Sequence, residues 1–522
     1  MKLDTKQHNL SLPQLLDTVA REHPSATAVF FKGKVTDYDT LSRQSGRTAA
    51  ALCDRGIRPG DRVALYCVNS DIFVIAYFAI LKAGATVVTV NLLLNPKEIA
   101  YMINDSGAKA VIYSDVLKDK VSAFRETCPD LKFLVSIGEE KSHSSDLNFS
   151  DLLQLDAPVP AIACDTHEDV AVIIYTSGTT GQSKGAMLTH YNLTSNVQSV
   201  STAIKTEPGK DIFLVVLPMF HSFAGTVGML TPLLSGCAIV PLGRFDPKEV
   251  ADTIESANAT VFLGVPSMYN ALLKLPDDYA HKLASLRYGL SGGAAMPQEV
   301  MKRFEERFGK VIYEGDGPTE CSPVTCLNPI DGKRKPASVG LPIPGVEMNI
   351  MDEQGAEMPH NQIGEICVRG PNIMKGYWNK PEETKASMFG QWFRTGDLGT
   401  EDDEGYFYIV DRKKDMVIVN GMNVYPRMVE EVLYQFEPIY EAAVVGEPHE
   451  SHGEIPVAYI AFKEGKSATP KEIRAFCQAS LGQFQIPKKF IAMKELPKNA
   501  SGKILKRELR KQGELERGVD SR

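Results

Sequence analysis

Short apolar runs alternate with helix-forming stretches from Val63 to Tyr113: Val63 to Tyr66, Ile72 to Ala83, Val87 to Val90, Pro96 to Asn104 and Ala110 to Tyr113. Strands separated by helices are joined by crossovers and lie parallel, so this rhythm confines the region to a largely parallel α/β sheet. A second round follows in Val170 to Tyr175, a helix candidate after His190, Ile212 to Leu217 and Val261 to Gly264. The large N-terminal part is therefore expected to hold at least two similar α/β layers. A chain of 522 residues also exceeds the ~250–300 residues at which single cores stop growing, so a domain boundary is required.

Beyond Pro342 the texture changes to short strands with turn signals at Asp352 to Gly355 and Asp403 to Gly405, which predicts a small antiparallel β unit. The run Asp411-Arg-Lys-Lys-Asp415 interrupts the strand-like stretches Tyr406 to Val410 and Met416 to Val419 and reads as an exposed connection. The boundary is placed there. A helix candidate (Pro426 to Tyr434), two strands (Ala442 to Val445 and Val457 to Phe462), a helix opened by Thr469-Pro470 and a basic tail then form a small α+β domain. The expected class is α/β: a large N-terminal domain of two similar α/β layers plus a small β unit, followed by a small α+β C-terminal domain.

Composition narrows the function. Hydrophobic content of 43% and charged content of 23% suit a globular chain. No window approaches the ~20 apolar residues of a spanning helix, and the polar start, Met1 to Leu10, has no secretory apolar region; cytoplasmic residence is expected. The nine cysteines form no Cys-x-x-Cys pair, so reduced thiols with neither disulfide nor zinc are expected. Net charge of -8, from 57 basic and 65 acidic residues, argues against a nucleic-acid partner.

The segment Tyr175-Thr-Ser-Gly-Thr-Thr-Gly-Gln-Ser-Lys-Gly185 directly follows an apolar strand candidate. Its glycines, Gly178 and Gly181 among them, let a ligand approach the backbone closely. Thr176, Ser177, Thr179 and Thr180 add hydroxyl donors and Lys184 a point charge, a combination suited to phosphates. The P-loop pattern requires Gly-Lys-Ser/Thr where this chain has Ser183-Lys184-Gly185, which disfavours kinase- or GTPase-type phosphoryl transfer.

This loop closely resembles the phosphate-binding signature of the acyl-adenylate-forming superfamily, which includes acyl-CoA synthetases, luciferases and peptide-synthetase adenylation domains. Similar signatures recur in the family's order: Leu217-Pro-Met-Phe-His-Ser-Phe-Ala-Gly225, Ser291-Gly-Gly-Ala-Ala-Met-Pro297, Gly315-Asp-Gly-Pro-Thr-Glu320, Trp392-Phe-Arg-Thr-Gly-Asp397, Asp411-Arg-Lys-Lys-Asp415 and Pro497-Lys-Asn-Ala-Ser-Gly-Lys503. The resemblance implies an ATP-dependent acyl-CoA synthetase for a carboxylic acid, a medium- or long-chain fatty acid first, with ATP and coenzyme A as substrates and Mg²⁺ as cofactor.

Residue by residue, the resemblance implies that Glu320 ligates Mg²⁺ beside Thr176 and that Thr319 touches the α-phosphate. Asp397 would hold the ribose, with Arg412 as a second contact. Gly292, Gly293, Ala294, Gly315, Asp316 and Gly317 fall in nucleotide-binding segments. Lys503 corresponds to the lysine that bridges carboxylate and α-phosphate; the other tail cations, Lys498, Lys506, Arg507, Arg510 and Lys511, are expected to be mostly solvated. His221, with Phe220 and Phe223 beside it, resembles the histidine of the acyl site, to which Val265, Tyr269, Gly293 and Val324 also belong. Residues 412–414 match a hinge between 1–411 and 415–522 about which the small domain turns, with Lys414 at the hinge position and Gly421 lining the path of coenzyme A.

Two positions depart from the usual pattern: Ser183 replaces a proline, and Asp316 stands where an aromatic residue usually stacks on adenine. They predict a weaker hold on ATP or a different cover for the base. Rival readings keep the adenylation but take an aryl acid or load a carrier protein, or keep only the fold as a non-catalytic binding protein. Peripheral membrane contact and a homodimer are both compatible with the sequence.

Overall fold

The computed structural model describes residues 10–154, 158–159, 161–176, 182–499 and 502–520, with side chains through 515. Among them, two large sheets build the N-terminal lobe. In the first, Ile212–Val215, Ala238–Pro241, Val261–Gly264, Tyr288–Ser291 and Ile312–Asp316 run parallel, and Thr27–Phe31 pairs with Ala238–Pro241 in the same sense. In the second, Thr86–Thr89 lies between Val170–Thr176 and Arg62–Tyr66, followed by Ala110–Ser114 and Phe133–Ile137, all parallel. The two α/β layers expected from the sequence are these sheets.

The helix Asp71–Lys82 shows why they pack as one body. Every one of its residues except Ile72 is buried, and it touches strands of both sheets; a helix apolar all round must be enclosed. Ser70 caps its start, its Oγ accepting from the Phe73 amide at 3.1 Å. At the other end the Lys82 ammonium, 5% exposed, reaches Asp17 at 2.6 Å. A single apolar core runs from this helix through both sheets.

The small β unit is antiparallel, with Trp392–Glu401 paired on one side to Gly364–Arg369 and on the other to Phe407–Arg412. That last strand takes in the first two residues of the basic run, which reads in sequence as an exposed connection. Asp411 and Arg412 stay in the ladder opposite Leu398 and Asp397, and Asp411 is 5% exposed. Its carboxylate accepts from the Arg427 amide at 2.9 Å, in the first turn of the helix Pro426–Gln435, where no side chain of the helix itself caps the end. Only 413–416 link this sheet to the next.

In the C-terminal lobe, Ile439–His449 and Gly453–Phe462 form a long antiparallel pair with Lys489–Met493 parallel to the latter. Alternate side chains face opposite sides: Ala442 and Val444 join a cluster with Leu433 and Ile473, whereas Ala443 and Val445 join one with Leu509. Three tail cations expected to be solvated are paired instead: Lys498 with Glu441 at 2.8 Å, Lys506 with Glu430 at 2.8 Å and Arg510 with Asp415 at 2.7 Å. The acidic partners lie far off in sequence and come together only across the folded lobe. No helix among the described residues is long and apolar enough to cross a membrane.

Candidate active site

Strands Val261–Gly264, Tyr288–Ser291 and Ile312–Asp316 all end at one cavity of about 1100 Å³, which the small lobe closes from above. Ligands of open α/β sheets bind outside the carboxyl ends of strands; Tyr288–Ser291 and Ile312–Asp316 release the chain into glycine-containing turns, and Val261–Gly264 leads through Val265 into the helix Pro266–Leu272. Gly292, Gly293, Ala294, Gly315, Asp316 and Gly317 line the cavity. A Cβ at Gly317 would overlap the Pro323 carbonyl, and one at Gly292 would stand 3.4 Å from the Phe223 ring and from the Gly315 carbonyl, so the wall is tight enough to require glycine at the first.

One end of the cavity collects oxygen ligands. Glu320 is 9% exposed, and its Oε1 accepts from the Thr176 hydroxyl at 3.1 Å and from the Tyr377 hydroxyl at 2.8 Å. Thr176 ends its strand opposite Lys184, whose ammonium lies 5.2 Å from the Tyr377 ring centroid. The Thr319 hydroxyl meets that of Ser222 at 2.9 Å. A carboxylate with two hydroxyl oxygens gathered against it suits a hard cation such as Mg²⁺. Ser177, Gly178, Thr179, Thr180 and Gly181 lie outside the described residues.

Beside these ligands four charges share the wall. Asp397 and Arg412 are cross-strand partners, and Nε of Arg412 stands 3.0 Å from Oδ1 of Asp397. Asp316 faces them; burial and the nearby Asp397 push its carboxyl up to about 6, against the pull of Arg412 and Lys503. Lys503 enters from the small lobe on a loop pinned by its own amide to Asn499 Oδ1 at 2.9 Å and by the Gly502 carbonyl to Ser267 Oγ at 3.0 Å. Gly502 has φ +82°, and a Cβ there would come within 2.9 Å of that Oγ, which fixes glycine just before the lysine. Burial, reinforced by Arg412, brings the Lys503 ammonium down to about 8, while Asp397, Asp316 and Asp415 hold it up.

The other end is apolar. His221 lies at the junction, its Nδ1 accepting from the Phe223 amide at 3.4 Å. Burial and the neighbouring Lys503 push it down to about 4, so it is neutral at physiological pH. Phe220, Phe223, Val265 and Val324 line the cavity, joined by Val200, Ala203, Ile204, Val227, Leu290 and Val300.

Two expected residues lie elsewhere. Tyr269 is fully buried, its hydroxyl donating to the Leu290 and Phe262 carbonyls at 2.8 and 3.2 Å and its ring packed edge-on against Phe262 and Phe304. It supports the floor of the site rather than lining it. Gly421 is exposed at φ +79° in a tight Asn-Gly turn and does not reach the cavity, whereas Lys414 does. Conversely, Tyr377 contacts Glu320 from outside every quoted signature, because an aromatic after a glycine carries no distinguishing pattern, and Ser222, inside the 217–225 signature but with no role assigned to it, meets Thr319.

Two α/β layers, a small lobe that lends a lysine, and a cavity joining oxygen ligands to a hydrocarbon wall define an adenylate-forming ligase. The model of the AMP-binding enzyme family matches residues 16–378, and that of the AMP-binding enzyme C-terminal domain matches 428–503. The chain belongs to this family, in its acyl-CoA synthetase branch, and is an AMP-forming acid–thiol ligase. It is 37% identical over 530 aligned residues to a long-chain-fatty-acid–CoA ligase of Bacillus subtilis (strain 168), covering 96% of this chain and 94% of that one. It is 36% identical over 494 to a feruloyl-CoA synthase of Amycolatopsis sp, covering 94% and 97%. The crystal structure of the anthranilate CoA ligase AuaEII in complex with anthranoyl-AMP superposes with a TM-score of 0.89 at 28% identity, covering 97% of each chain.

Proposed function

We propose that the acid is a medium- or long-chain fatty acid, activated in two half-reactions. The observation that carries this reading is the wall formed by Val200, Ala203, Ile204, Val227, Leu290 and Val300, which offers hydrocarbon and no charge to the far end of the acid. A dicarboxylic or amino acid would bury an unpaired charge there.

In the first half-reaction a carboxylate oxygen attacks the α-phosphorus of ATP, and the bond to the bridging oxygen breaks, releasing pyrophosphate. Two anions meet, so positioning and charge neutralisation supply most of the catalysis. Lys503 bridges the carboxylate and the α-phosphate, Thr319 donates to the latter, and Asp397 with Arg412 holds the ribose. Neutral His221 orients the carboxylate without adding a charge of its own. The loop 176–184 grips the departing phosphates. Glu320 and Thr176 would hold Mg²⁺, which when bound neutralises charge on the phosphates.

In the second half-reaction the thiol of coenzyme A gives up its proton to water, its sulfur attacks the acyl carbon, and AMP leaves with the C–O electron pair. Residues 412–414 serve as the hinge between 1–411 and 415–522, with Lys414 at the pivot. Rotation withdraws Lys503 and brings the Gly421 turn to the cavity. A second reading, an aryl acid, is favoured by the feruloyl and anthranilate ligases among the relatives and by Phe220 and Phe223 flanking His221.

The test is ATP–pyrophosphate exchange with C8 to C18 fatty acids, ferulate and benzoate, followed with and without coenzyme A. Fatty-acid-dependent exchange that yields thioester is expected. Exchange with aryl acids alone would replace this reading with the second, and acid-dependent exchange that yields no thioester would point to a carrier-protein acceptor.

A further inference from the structure

Between the lobes lies a buried carboxyl group that the chemistry above leaves unused. Glu314, in the strand Ile312–Asp316, is 2% exposed. Its Oε1 accepts from the Met296 amide at 2.9 Å, fixing the end of the loop that carries Gly292, Gly293 and Ala294 along the cavity. The same oxygen faces the Arg427 guanidinium of the small lobe at 3.9 Å. Oε2 has no hydrogen-bond partner among the described residues. Arg427 is itself held, its Nη1 donating to the Ile409 carbonyl at 2.8 Å.

One turn further along the helix Pro426–Gln435, Glu431 faces the backbone amide of Gln298, the first residue of the helix Gln298–Phe308, whose pull opposes the upward push of burial on its carboxyl. A carboxylate at a helix start is favourably placed, so this helix docks on the large lobe through two oppositely charged side chains. Burial pushes Glu314 up to about 7, with Arg427 and the Met296 amide drawing it back and Glu431 and Asp316 pushing it further. A buried carboxylate is tolerated when a cation compensates it, and the nearest such cation belongs to the other lobe.

We propose that Glu314 is a positioning residue for adenylation. With Arg427 and Glu431 it forms a latch that holds the small lobe in the arrangement presenting Lys503, and that ties this arrangement to the loop 291–296. When the lobe turns away, Glu314 keeps only its loop amide and meets water. The latch rests on the two-half-reaction reading above.

The experiment uses full-length protein carrying Arg427→Met, Glu314→Gln, both together, or Arg427→Lys. Each is assayed for fatty-acid-dependent pyrophosphate exchange and, separately, for thioester formation from supplied acyl-adenylate and coenzyme A. Hydrogen–deuterium exchange is followed over 291–298. Arg427→Met is expected to lose exchange about tenfold and thioester formation less than about twofold, and the double variant to be no worse than Arg427→Met alone, as for residues acting through one contact. Arg427→Lys should recover much of the loss, and amide exchange over 291–298 should quicken in Arg427→Met. Equal loss of both half-reactions, or losses that multiply in the double variant, overturns the latch. Should Arg427→Met fail to fold, Glu314→Gln, which preserves shape, carries the same split and the same refutation. A wild-type protein inactive in both half-reactions would instead overturn the ligase reading on which the latch depends.

Discussion

Adenylation by the free enzyme is expected to fall as pH rises through about 8, the value to which burial brings Lys503 from the ordinary 10.5. Only the ammonium form can bridge carboxylate and α-phosphate. With that value the protonated fraction is about 0.9 at pH 7 and about 0.1 at pH 9, whereas a solvated lysine would lose only about 3% over the same range. The observable is kcat/KM for ATP in pyrophosphate exchange, because kcat/KM reports the ionisations of the unliganded enzyme, and it should drop about tenfold between pH 7 and pH 9. Asp316 is one of the carboxylates that hold the lysine up, so Asp316→Asn should move the fall to lower pH. Thioester formation from supplied acyl-adenylate provides the control, since the proposed mechanism gives Lys503 no part in it; Lys503→Ala should abolish exchange and spare this step. Exchange that stays level to pH 9.5, or an identical fall in both half-reactions, would refute the reasoning.

Glu320→Gln should cost exchange about a hundredfold, partly recovered by raised Mg²⁺, and Tyr377→Phe less than about tenfold, as for loss of one ligand against loss of one supporting hydroxyl; equal effects would contradict the assigned roles. Ala203→Phe places a ring in the hydrocarbon wall and should raise the kcat/KM ratio of C8 over C16 acids about tenfold, read from thioester formation; an unchanged ratio would move the chain's far end elsewhere. His190 is buried and accepts from the Leu12 amide through Nδ1 at 3.3 Å, which requires the neutral form, and burial lowers it from 6.5 to about 4. Its contribution is therefore full above pH 6.5 and declines as pH falls toward 4, by about 2 kcal/mol at pH 5. Urea midpoints at pH 7 and pH 5 should differ less in His190→Asn than in the wild type.

The sequence was most legible where chemistry and local structure coincide. The apolar run from Val170 ends in hydroxyl and glycine residues, so both strand and ligand loop could be read together, and the helix expected over Ile72 to Ala83 is found at Asp71–Lys82. Long-range pairing was not legible. Nothing local announces that Asp397 lies opposite Arg412, because a strand register is set by the sheet and not by either segment. Tyr269 misled because an aromatic side chain reads alike as pocket wall or core; its hydroxyl bonds to two backbone carbonyls decide for the core. Lys498, Lys506 and Arg510 read as a solvated run for a related reason: their partners Glu441, Glu430 and Asp415 reach them only through the fold. Glu314 lies in the strand Ile312–Asp316 with no pattern to mark it, and only the docking of Arg427 gives it meaning.

The cavity is continuous, yet its two ends come from different stretches of chain: the hydrocarbon wall chiefly from 200–227 with Leu290 and Val300, the polar end from 176, 316–320, 397, 412 and 503. On the proposed assignment of the two ends, selection can lengthen, shorten or flatten the accepted acid by changing a few side chains without disturbing the nucleotide end. The same division bears on inhibition. A non-hydrolysable molecule joining an alkyl tail to adenosine would occupy both ends at once, drawing affinity from the nucleotide end and selectivity among related ligases from the tail.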